Sequence, residues 1–252
     1  MITKNEIKFI QSLKLRKYRQ KYNKFIVEGQ KSCHEFLTHN KYLCDRIFAQ
    51  ASWIENQTTS LGIDDLNIQE VTLQEMKSIS QLVTPTDVLL VSHIKEEIVN
   101  FKLINRVVFL ENVQDPGNMG AIVRIADWFD IDLLVLSPDS VDLYHPKVVQ
   151  ASMGSMNGVT ILSMPLSELR SSLPDAVMIG TAMHGSALSE FRFPEKSILI
   201  MGNEGKGMTP ETTELCDLQI TINGSSTRVA ESLNVAMATS ICCHAWSKNL
   251  LK

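Results

Sequence analysis

The chain has 252 residues, 44% of them hydrophobic, and carries a formal net charge of −4 at pH 7. A chain of this length can form one large or two modest domains with a substantial core. No apolar run reaches the roughly 18 residues of a membrane span. The basic N-terminus is not followed by an apolar stretch, so we expect neither a transmembrane helix nor a secretory signal.

The cysteines and histidines show no metal-binding pattern. The five cysteines include no C-x-x-C pair, and the six histidines form no H-E-x-x-H motif. We therefore expect no metal site. We interpret the cysteines as reduced thiols of a cytoplasmic protein, most of which fill the core.

Positive charge is concentrated at the N-terminus. Residues 1–31 contain seven lysines and two arginines against two glutamates, a balance of +7 that leaves −11 for the rest of the chain. Tyr18, Tyr22 and Phe25 interleave with these cations. Because aromatic rings stack on unpaired bases while cations contact phosphates, we expect this segment to bind RNA. The alternative is an ordinary solvated helix face. The candidate RNA contacts are Lys14, Arg16, Lys17, Arg19 and Lys21.

The first third of the chain has the pattern of a small α/β module. A basic helix, a strand, a short helix, a strand, a helix and a strand are predicted at residues 4–24, 25–29, 30–39, 46–50, 73–80 and 87–94. The module is expected to end near residue 95. The charged segment 95–103 lacks a clear period and is the best linker candidate.

The second half alternates more strongly between strands and helices. Continuously apolar strands separated by helices predict a parallel sheet that is covered on both faces. Ligands of such sheets bind beyond the carboxyl ends of the strands. The predicted strands are 106–111, 132–137, 158–162, 176–181, 197–202 and 218–222.

The first of three informative segments at strand ends spans residues 110–129. The turn sequence QDPGN is followed by apolar residues at helical spacing, and Asn118 is the expected N-cap. Arg124 falls on the side of this helix opposite its apolar face. Asn118 and Arg124 can therefore share a cleft, or they can be only a cap and a solvated arginine.

The second segment, residues 198–211, is rich in glycine. Gly202, Gly205 and Gly207 allow close backbone approach to a ligand, and Glu204 lies between them. A P-loop is not supported, because Gly207 stands where Ser or Thr must follow the lysine. The carboxylate of Glu204 also disfavours a phosphate ligand.

The third segment opens the last predicted helix. Ser232 and Asn234 lie in its first turn, where free backbone N–H groups favour polar or anionic ligands. The segment 231–247 is apolar on all sides, which predicts a buried or interface helix. The simpler interpretation is that Ser232 only caps the helix.

Together, the three segments resemble the signatures of the SpoU/TrmH family, RNA ribose 2′-O-methyltransferases of the SPOUT class. The first third also resembles the N-terminal substrate-binding module of that family, through LKLRKYR, FIVEG and the segment 82–91. The matching signature positions are Asn118, Gly120, Ala121, Ile122 and Arg124, then Met201–Gly205 with Gly207, then Ser232–Val235.

The resemblance implies an α/β architecture with two domains. An RNA substrate-binding domain is expected at 1–97, a linker at 98–104, and a methyltransferase domain with a parallel sheet and a trefoil knot at 105–252. The family forms homodimers through its final helix. Two features differ from the family pattern. Asp130 stands where glycine is often found, and the stretch between Ile222 and Ser232 is a few residues longer than expected.

The resemblance also implies the cofactor and the site. S-adenosylmethionine is expected to be held largely by backbone groups at Thr181, Met201, Gly202, Gly207, Ile220, Ile222 and Leu233. The implied catalytic residues are Arg124, Asn118, Glu204, Ser232 and Asn234.

Arg124 has two possible roles within that implied mechanism. Family proposals make it the general base, but a guanidinium titrates above ~12 and deprotonating it at neutral pH costs roughly 7 kcal/mol. A cation that positions the substrate and stabilises the developing alkoxide is physically easier. The expected substrate is ribosomal RNA. The alternatives are a transfer RNA substrate and a non-catalytic RNA-binding protein.

Overall fold

A computed structural model of the chain describes residues 1–57 and 66–248. Contacts group the chain into two compact units, one formed by residues 1–96 and 142–157 and the other by residues 97–141 and the chain from 158 onward. The predicted domain boundaries stay a prediction. The segment 142–157, expected in the methyltransferase domain, makes its contacts within the first unit.

The elements alternate along the chain in both units. The helices are α1 (Lys4–Ser12), α2 (Arg16–Tyr22), α3 (Gln30–His39), α4 (Ala51–Gln57), α5 (Leu73–Ile79), α6 (Pro116–Trp128), α7 (Pro146–Ser152), α8 (Leu166–Ser172), α9 (Pro210–Leu215) and α10 (Val235–Ser247). The strands are β1 (Lys24–Glu28), β2 (Cys44–Ala49), β3 (Ile68–Glu70), β4 (Val88–His93), β5 (Arg106–Leu110), β6 (Leu133–Leu136), β7 (Ile161–Ser163), β8 (Val177–Ala187), β9 (Ser197–Met201) and β10 (Leu218–Thr221).

The first unit is built on a four-stranded mixed sheet in the order β1-β4-β2-β3. β4 pairs antiparallel with both β1 and β2, and β3 pairs parallel with β2. Helices α1 and α5 each begin with a capping box, formed by Thr3 with Glu6 and by Thr72 with Glu75. Both caps satisfy backbone N–H groups that a helix start leaves free.

The basic segment forms two helices instead of the single helix predicted over residues 4–24. α1 ends at Ser12, and Leu13 beyond it is fully buried in the core of the first unit. Leu15 is extended, and α2 then begins at Arg16. The chain turns between the two helices and buries Leu13. Helical periodicity in the sequence does not predict this turn.

Arg19 has a structural role, which corrects its prediction as an RNA contact. Its side chain is only 2% exposed and forms an ion pair with Asp142. It also donates hydrogen bonds of 2.8 Å to the backbone carbonyl oxygens of Leu13 and Lys14. Because buried guanidinium groups require such partners, Arg19 holds the turn between α1 and α2 in place.

The second unit contains a six-stranded sheet in the order β10-β8-β9-β5-β6-β7. All neighbouring strands pair in parallel, which confirms the predicted parallel α/β fold. The core on one face includes Val107, Phe109, Leu133, Ile198 and Ile200. Helices separate most of these strands, as predicted, although β8 is followed by β9 without a helix between them. The loops after β5, β9 and β10 leave the same edge of the sheet.

Two local predictions concern unusual residues of this chain. All five cysteines are free, and Cys33, Cys242 and Cys243 are buried, so they fill the core as expected. Burial raises the pKa of Cys242 to about 12. Asp130 adopts a φ of 51°, a left-handed conformation that explains why glycine suits this position.

Within the described ranges, no helix combines the length and apolarity needed to cross a membrane. Over the same residues, no cluster of three or more histidine, cysteine or acidic side chains could hold a metal ion.

The buried ion pair gives a stability prediction. Arg19→Ala removes the cation and leaves Asp142 and two carbonyl groups without their partner, so we expect the free energy of unfolding to fall by about 2 to 4 kcal/mol. Urea denaturation followed by circular dichroism measures this change. Arg16→Ala is the control, because Arg16 is exposed and its loss is expected to cost less than about 0.5 kcal/mol. Equal midpoints for the two variants would contradict the assignment.

Candidate active site at the carboxyl edge of the parallel sheet

Three strand-end loops of the second unit are joined through the side chain of Asn118. Its Nδ2 donates a 3.0 Å hydrogen bond to Oε1 of Glu204, which follows β9. Its Oδ1 accepts a 2.9 Å hydrogen bond from Nδ2 of Asn234, which follows β10. The structure therefore brings together three of the predicted catalytic residues at the edge where parallel α/β sheets bind ligands.

Asn118 is available for these contacts because another residue caps its helix. Helix α6 begins at Pro116, and the side chain of Asp115 accepts a 2.8 Å hydrogen bond from the backbone N–H of Asn118. The prediction of Asn118 as the N-cap is therefore wrong. Asp115 satisfies the free backbone group, so the amide of Asn118 can contact the neighbouring loops.

Asn234 both caps the last helix and reaches Asn118. Its Oδ1 accepts hydrogen bonds from the N–H groups of Ala236, at 2.9 Å, and Met237, at 3.3 Å, while its Nδ2 donates to Asn118. Helix α10 consequently begins at Val235, three residues later than predicted. Ser232 precedes the cap and is exposed, so neither its expected place in the first turn nor its expected capping role is seen.

The glycine-rich loop after β9 closes on itself through its backbone. Asn203 and Gly207 exchange two backbone hydrogen bonds of 2.9 and 3.0 Å, and Gly207 has a φ of +70°. A Cβ atom at Gly202 would lie 2.4 Å from main-chain atoms of Gly207 and Met208. Glycine is therefore required at 202 by close backbone approach and favoured at 207 by backbone conformation.

Asn203 organises this loop, a role that the sequence analysis did not assign. Its Oδ1 accepts hydrogen bonds from the N–H groups of Gly205 and Lys206, at 3.0 and 3.1 Å. Its Nδ2 donates a 2.8 Å hydrogen bond to the carbonyl oxygen of Asn112, in the loop after β5. The side chain thus fixes the glycine-rich loop against the loop that leads to Asn118.

Glu111 is a second organising residue that the sequence analysis missed. Its buried carboxylate accepts hydrogen bonds from the backbone N–H and the hydroxyl of Thr209, at 3.0 and 2.8 Å, and from the hydroxyl of Thr212, at 2.6 Å. It therefore holds the start of α9, where the glycine-rich loop ends. A charged residue that closes the apolar run of β5 was the available signal.

The predicted cofactor-binding residues lie around this edge with different exposures. The side chains of Met201 and Ile220 are buried. Thr181 donates a 2.9 Å hydrogen bond to the carbonyl oxygen of Ile200. Ile222 is half-buried and Leu233 is 46% exposed, so both present apolar surface.

These residues fit a cofactor that carries positive charge and no phosphate, such as S-adenosylmethionine. Gly202, Gly205 and Gly207 carry no side chain that would cover the main chain of the loop, and the carboxylate of Glu204 suits a cation. The exposed surface of Leu233 suits an aromatic ring of a ligand.

Arg124 lies outside the Asn118-centred group. It is exposed on α6, and within the described residues no hydrogen bond or ion pair of its side chain is present. At about 100° per residue, it shares a helix face with Gly117 and Gly120. Gly117 and Gly120 leave this face free of bulky side chains on the N-terminal side of Arg124, whereas the exposed Trp128 lies one turn beyond it, so a substrate can approach the guanidinium from the N-terminal side.

The predicted RNA contacts differ in the exposure of their side chains. Lys14, Arg16, Lys17 and Lys21 are exposed in the first unit, whereas Arg19 is buried as described above. Only the four exposed side chains remain candidates for RNA contact.

A parallel sheet with a polar group at its carboxyl edge places the second unit among the α/β domains that bind ligands at that edge. The chain belongs to the SpoU rRNA Methylase family, whose model matches residues 105–244. A second model, the MRM3-like substrate binding domain, matches residues 4–90. The predicted family is therefore confirmed, while the trefoil knot stays a prediction.

Individual relatives agree with this family. The chain is 29% identical over 239 residues to the 23S rRNA (guanosine(2553)-2′-O)-methyltransferase RlmP of Bacillus subtilis, covering 94% of this chain and 93% of that protein. It is 30% identical over 140 residues to the 23S rRNA (uridine(2479)-2′-O)-methyltransferase of Streptomyces viridochromogenes, covering 52% of this chain and 48% of that protein.

Solved structures show the same fold over the whole chain. A TrmH-family protein from Porphyromonas gingivalis superimposes with a TM-score of 0.85 at 35% identity, covering 98% of both chains. The SpoU methyltransferase AviRb from Streptomyces viridochromogenes, solved in complex with AdoMet, gives a TM-score of 0.84 at 20% identity, covering 99% of both chains. At that identity, the second comparison supports the fold.

The contacts of Glu111 give a prediction about the glycine-rich loop. In Glu111→Gln, an NH2 group replaces one acceptor and faces donors, so we expect a loss of about 1 to 3 kcal/mol in unfolding free energy. Hydrogen exchange of the amides in residues 202–209 should also become faster. Glu214→Gln, at an exposed position of α9, is the control and should leave both measurements unchanged. Unaltered exchange in Glu111→Gln would refute the anchoring role.

Proposed function

We propose that this protein transfers the methyl group of S-adenosylmethionine to a ribose 2′-hydroxyl of ribosomal RNA. The observation that carries the proposal is the hydrogen-bonded group of Asn234, Asn118 and Glu204, which joins three family signatures at one edge of the sheet. A cytoplasmic location accords with the free cysteines.

The chemistry asks little of the protein beyond alignment and charge stabilisation. S-adenosylmethionine, when bound, supplies a methyl group on a sulfonium, which is a good leaving group. Arg124 positions the ribose and stabilises the alkoxide that develops as the hydroxyl attacks. Asn118, Glu204 and Asn234 hold the loops around the reacting groups, and the exposed hydroxyl of Ser232 is available to the substrate.

The backbone at the carboxyl edge accounts for cofactor binding in this proposal. The proposed contacts are main-chain groups at Met201, Gly202, Gly207 and Ile220. They also include Thr181, Ile222 and Leu233, which lie nearby in sequence or along the edge. Recognition by main-chain groups accords with a loop that lacks the side chains of a phosphate cradle.

Ribosomal RNA is favoured over transfer RNA as the substrate. The relatives from Bacillus subtilis and Streptomyces viridochromogenes are both named as 23S rRNA 2′-O-methyltransferases, and the first covers nearly the whole chain. The match of residues 4–90 to a substrate-binding domain accords with an RNA contact through Lys14, Arg16, Lys17 and Lys21.

A non-catalytic RNA-binding protein is the competing function. The presence of Arg124 and of the intact hydrogen-bonded group argues against it, because all four residues belong to the methyltransferase signatures. Isothermal titration with S-adenosylmethionine separates the two functions, since the competing function predicts no binding.

The decisive experiment compares methyl transfer by the wild type and by Arg124→Ala. The wild type should transfer tritiated methyl groups from S-adenosylmethionine to ribosomal RNA lacking its natural methylation, at a 2′-hydroxyl. Arg124→Ala should bind S-adenosylmethionine as the wild type does but lose at least about 100-fold in kcat, because the developing charge loses its stabilising cation.

Arg192→Ala is the matched control, because Arg192 is exposed in the same unit and outside the three family signatures. It should retain wild-type turnover. Unchanged turnover in Arg124→Ala would remove the proposed role of that residue, and methylation of transfer RNA alone would overturn the substrate class.

A homodimer through α10 is part of this proposal. One face of the helix, with Cys242 and Trp246, is buried within the chain, whereas Met237 is 62% exposed and Ile241 is 41% exposed one turn later. Exposed apolar side chains on one stripe of a helix are typical of a surface covered by a partner. A second copy of the chain is the proposed partner.

The stripe on α10 gives a prediction about the oligomeric state. Met237→Glu places a charge at the proposed interface, so the protein should sediment as a monomer at micromolar concentration while the wild type sediments as a dimer. Val83→Glu changes an equally apolar, fully exposed residue of the first unit and should leave the dimer intact. A monomeric wild type, or a dimeric Met237→Glu, would argue against this interface.

A further inference from the structure

The first unit contains a cavity that the proposed methyl transfer does not use. Its volume is about 370 Å³, and its lining includes Phe9 of α1 and Phe48 of β2. Asn5 and Val91 also line it. A volume of this size lies within the usual range of pockets for small organic groups. Phe48 is only 2% exposed, so the accessible aromatic surface comes from the half-buried Phe9, which suits a flat ring.

Two ion pairs complete the lining of this cavity. Nζ of Lys24 lies 2.8 Å from Oδ2 of Asp45, and Arg46 pairs with Glu6. Hydrogen bonds from Thr3 hold the pKa of Glu6 below its usual value, so this carboxylate remains ionised at neutral pH. Since each cation has its own carboxylate, the lining is neutral overall and does not favour a phosphate.

The same charged groups can recognise the edge of a nucleobase. A base carries donors and acceptors on its edge, which match the cations and carboxylates of the lining, and two apolar faces. The ammonium of Lys24 lies 5.9 Å from the ring centroid of Phe9, and the guanidinium of Arg46 lies 5.9 Å from that of Phe48. A lining whose charges balance, next to aromatic side chains, therefore fits a base better than it fits an anion.

An aromatic strip, defined here as Phe9, Tyr22 and Tyr18, continues from the cavity along α2. The ring centroids of Phe9 and Tyr22 are 5.1 Å apart, and those of Tyr22 and Tyr18 are 6.2 Å apart and nearly parallel. Lys21 lies 5.4 Å from the ring of Tyr22, and Lys17 lies 4.9 Å from that of Tyr18.

The lysines of the strip differ from those of the cavity in their charge balance. Within the part of the chain that the structure describes, no carboxylate is within ion-pair distance of Lys17 or Lys21. Their charge is therefore available to phosphates, while the rings of the strip are available to bases.

We propose that the cavity receives one unpaired base of single-stranded RNA, and that the adjoining nucleotides follow the aromatic strip. The inference rests on the proposed function and deepens it by naming a substrate feature, an unpaired base that the first unit binds. Phe9 belongs to both surfaces and connects them.

Filling the cavity tests this proposal in the full-length protein. The probe is a single-stranded oligouridylate of about ten nucleotides with one central 2-aminopurine, whose fluorescence reports stacking. Asn5→Trp places a large ring at an exposed position of the lining. We expect it to weaken binding roughly 5- to 150-fold, the range for loss of one stacked base, and to abolish the fluorescence change.

A matched control exists in α5. Asn5 and Gln74 are each the second residue of a helix that begins with a capping box, and Gln74 is exposed and does not line the cavity. Gln74→Trp should therefore bind the oligonucleotide within about twofold of the wild type, because a surface substitution outside the site changes little. Thermal unfolding of both variants verifies that they are folded.

A second variant keeps the test independent of the introduced tryptophan. Phe9→Leu retains apolar volume but loses the aromatic face, so it should weaken binding without changing the salt dependence. Lys21→Gln should instead reduce the slope of log K against log salt by roughly 0.7, the value for one phosphate contact on a single strand.

Three outcomes would overturn the proposal. The first is wild-type affinity in Asn5→Trp. The second is equal affinity of the wild type for an oligonucleotide that lacks only the central base. The third is displacement of the RNA by micromolar free nucleoside, which would assign the cavity to a small metabolite. Methyl transfer to ribosomal RNA by the wild type is measured in parallel. If transfer persists while any of these outcomes occurs, the cavity proposal fails and the proposed function stands.

Discussion

The site depends on one side chain that accepts and donates at the same time. Asn118 accepts a hydrogen bond from Asn234 and donates one to Glu204, so a single amide links the loops that follow β5, β9 and β10. A carboxylate at this position could accept but not donate, and a lysine could donate but not accept. Hydrogen-bond direction thus sets the order Asn234–Asn118–Glu204. The amide of Asn118 lies in the middle, and the carboxylate of Glu204 lies at the accepting end.

Neighbouring residues make this link possible by taking over the structural tasks. Asp115 caps α6, which leaves the amide of Asn118 unoccupied by its own backbone. Asn203 and Glu111 hold the two ends of the glycine-rich loop that carries Glu204. Each support uses hydrogen bonds to main-chain groups that a strand-end loop would otherwise leave unsatisfied. Loop geometry and site geometry are therefore parts of one hydrogen-bond network.

Much of the second unit could be predicted from the sequence because its strands are fully buried. Continuous apolar runs such as 106–111 and 197–202 identify parallel strands, and the order of strands and helices then places the loops at one edge. The helix starts were less accessible. Asp115 and Asn118 are both good caps, as are Ser232 and Asn234, and only the tertiary contacts decide which residue turns toward its own helix.

The first unit shows why composition does not distinguish a binding surface from a core. Nine cations over residues 1–31 are equivalent in a charge count. Burial of Leu13 breaks the helix, however, and turns Arg19 inward to Asp142. The pairing of Lys24 and Arg46 with carboxylates is likewise invisible in the sequence, because Asp45 and Glu6 lie on other elements. The same cations thus serve as a structural pair, a neutral lining and a free basic strip.

The charge environment of Arg124 also bears on its chemistry. A base must release its proton at neutral pH, and a guanidinium does so only where nearby positive charge destabilises it. The residues one turn further along α6 are Asp127 and Trp128, both exposed, and neither is a cation. The uncovered face beside Gly117 and Gly120 further leaves the guanidinium free to meet a ribose and its phosphate. These surroundings support a cation that stabilises the developing alkoxide, with the hydroxyl proton passing to solvent as the oxygen attacks the methyl group.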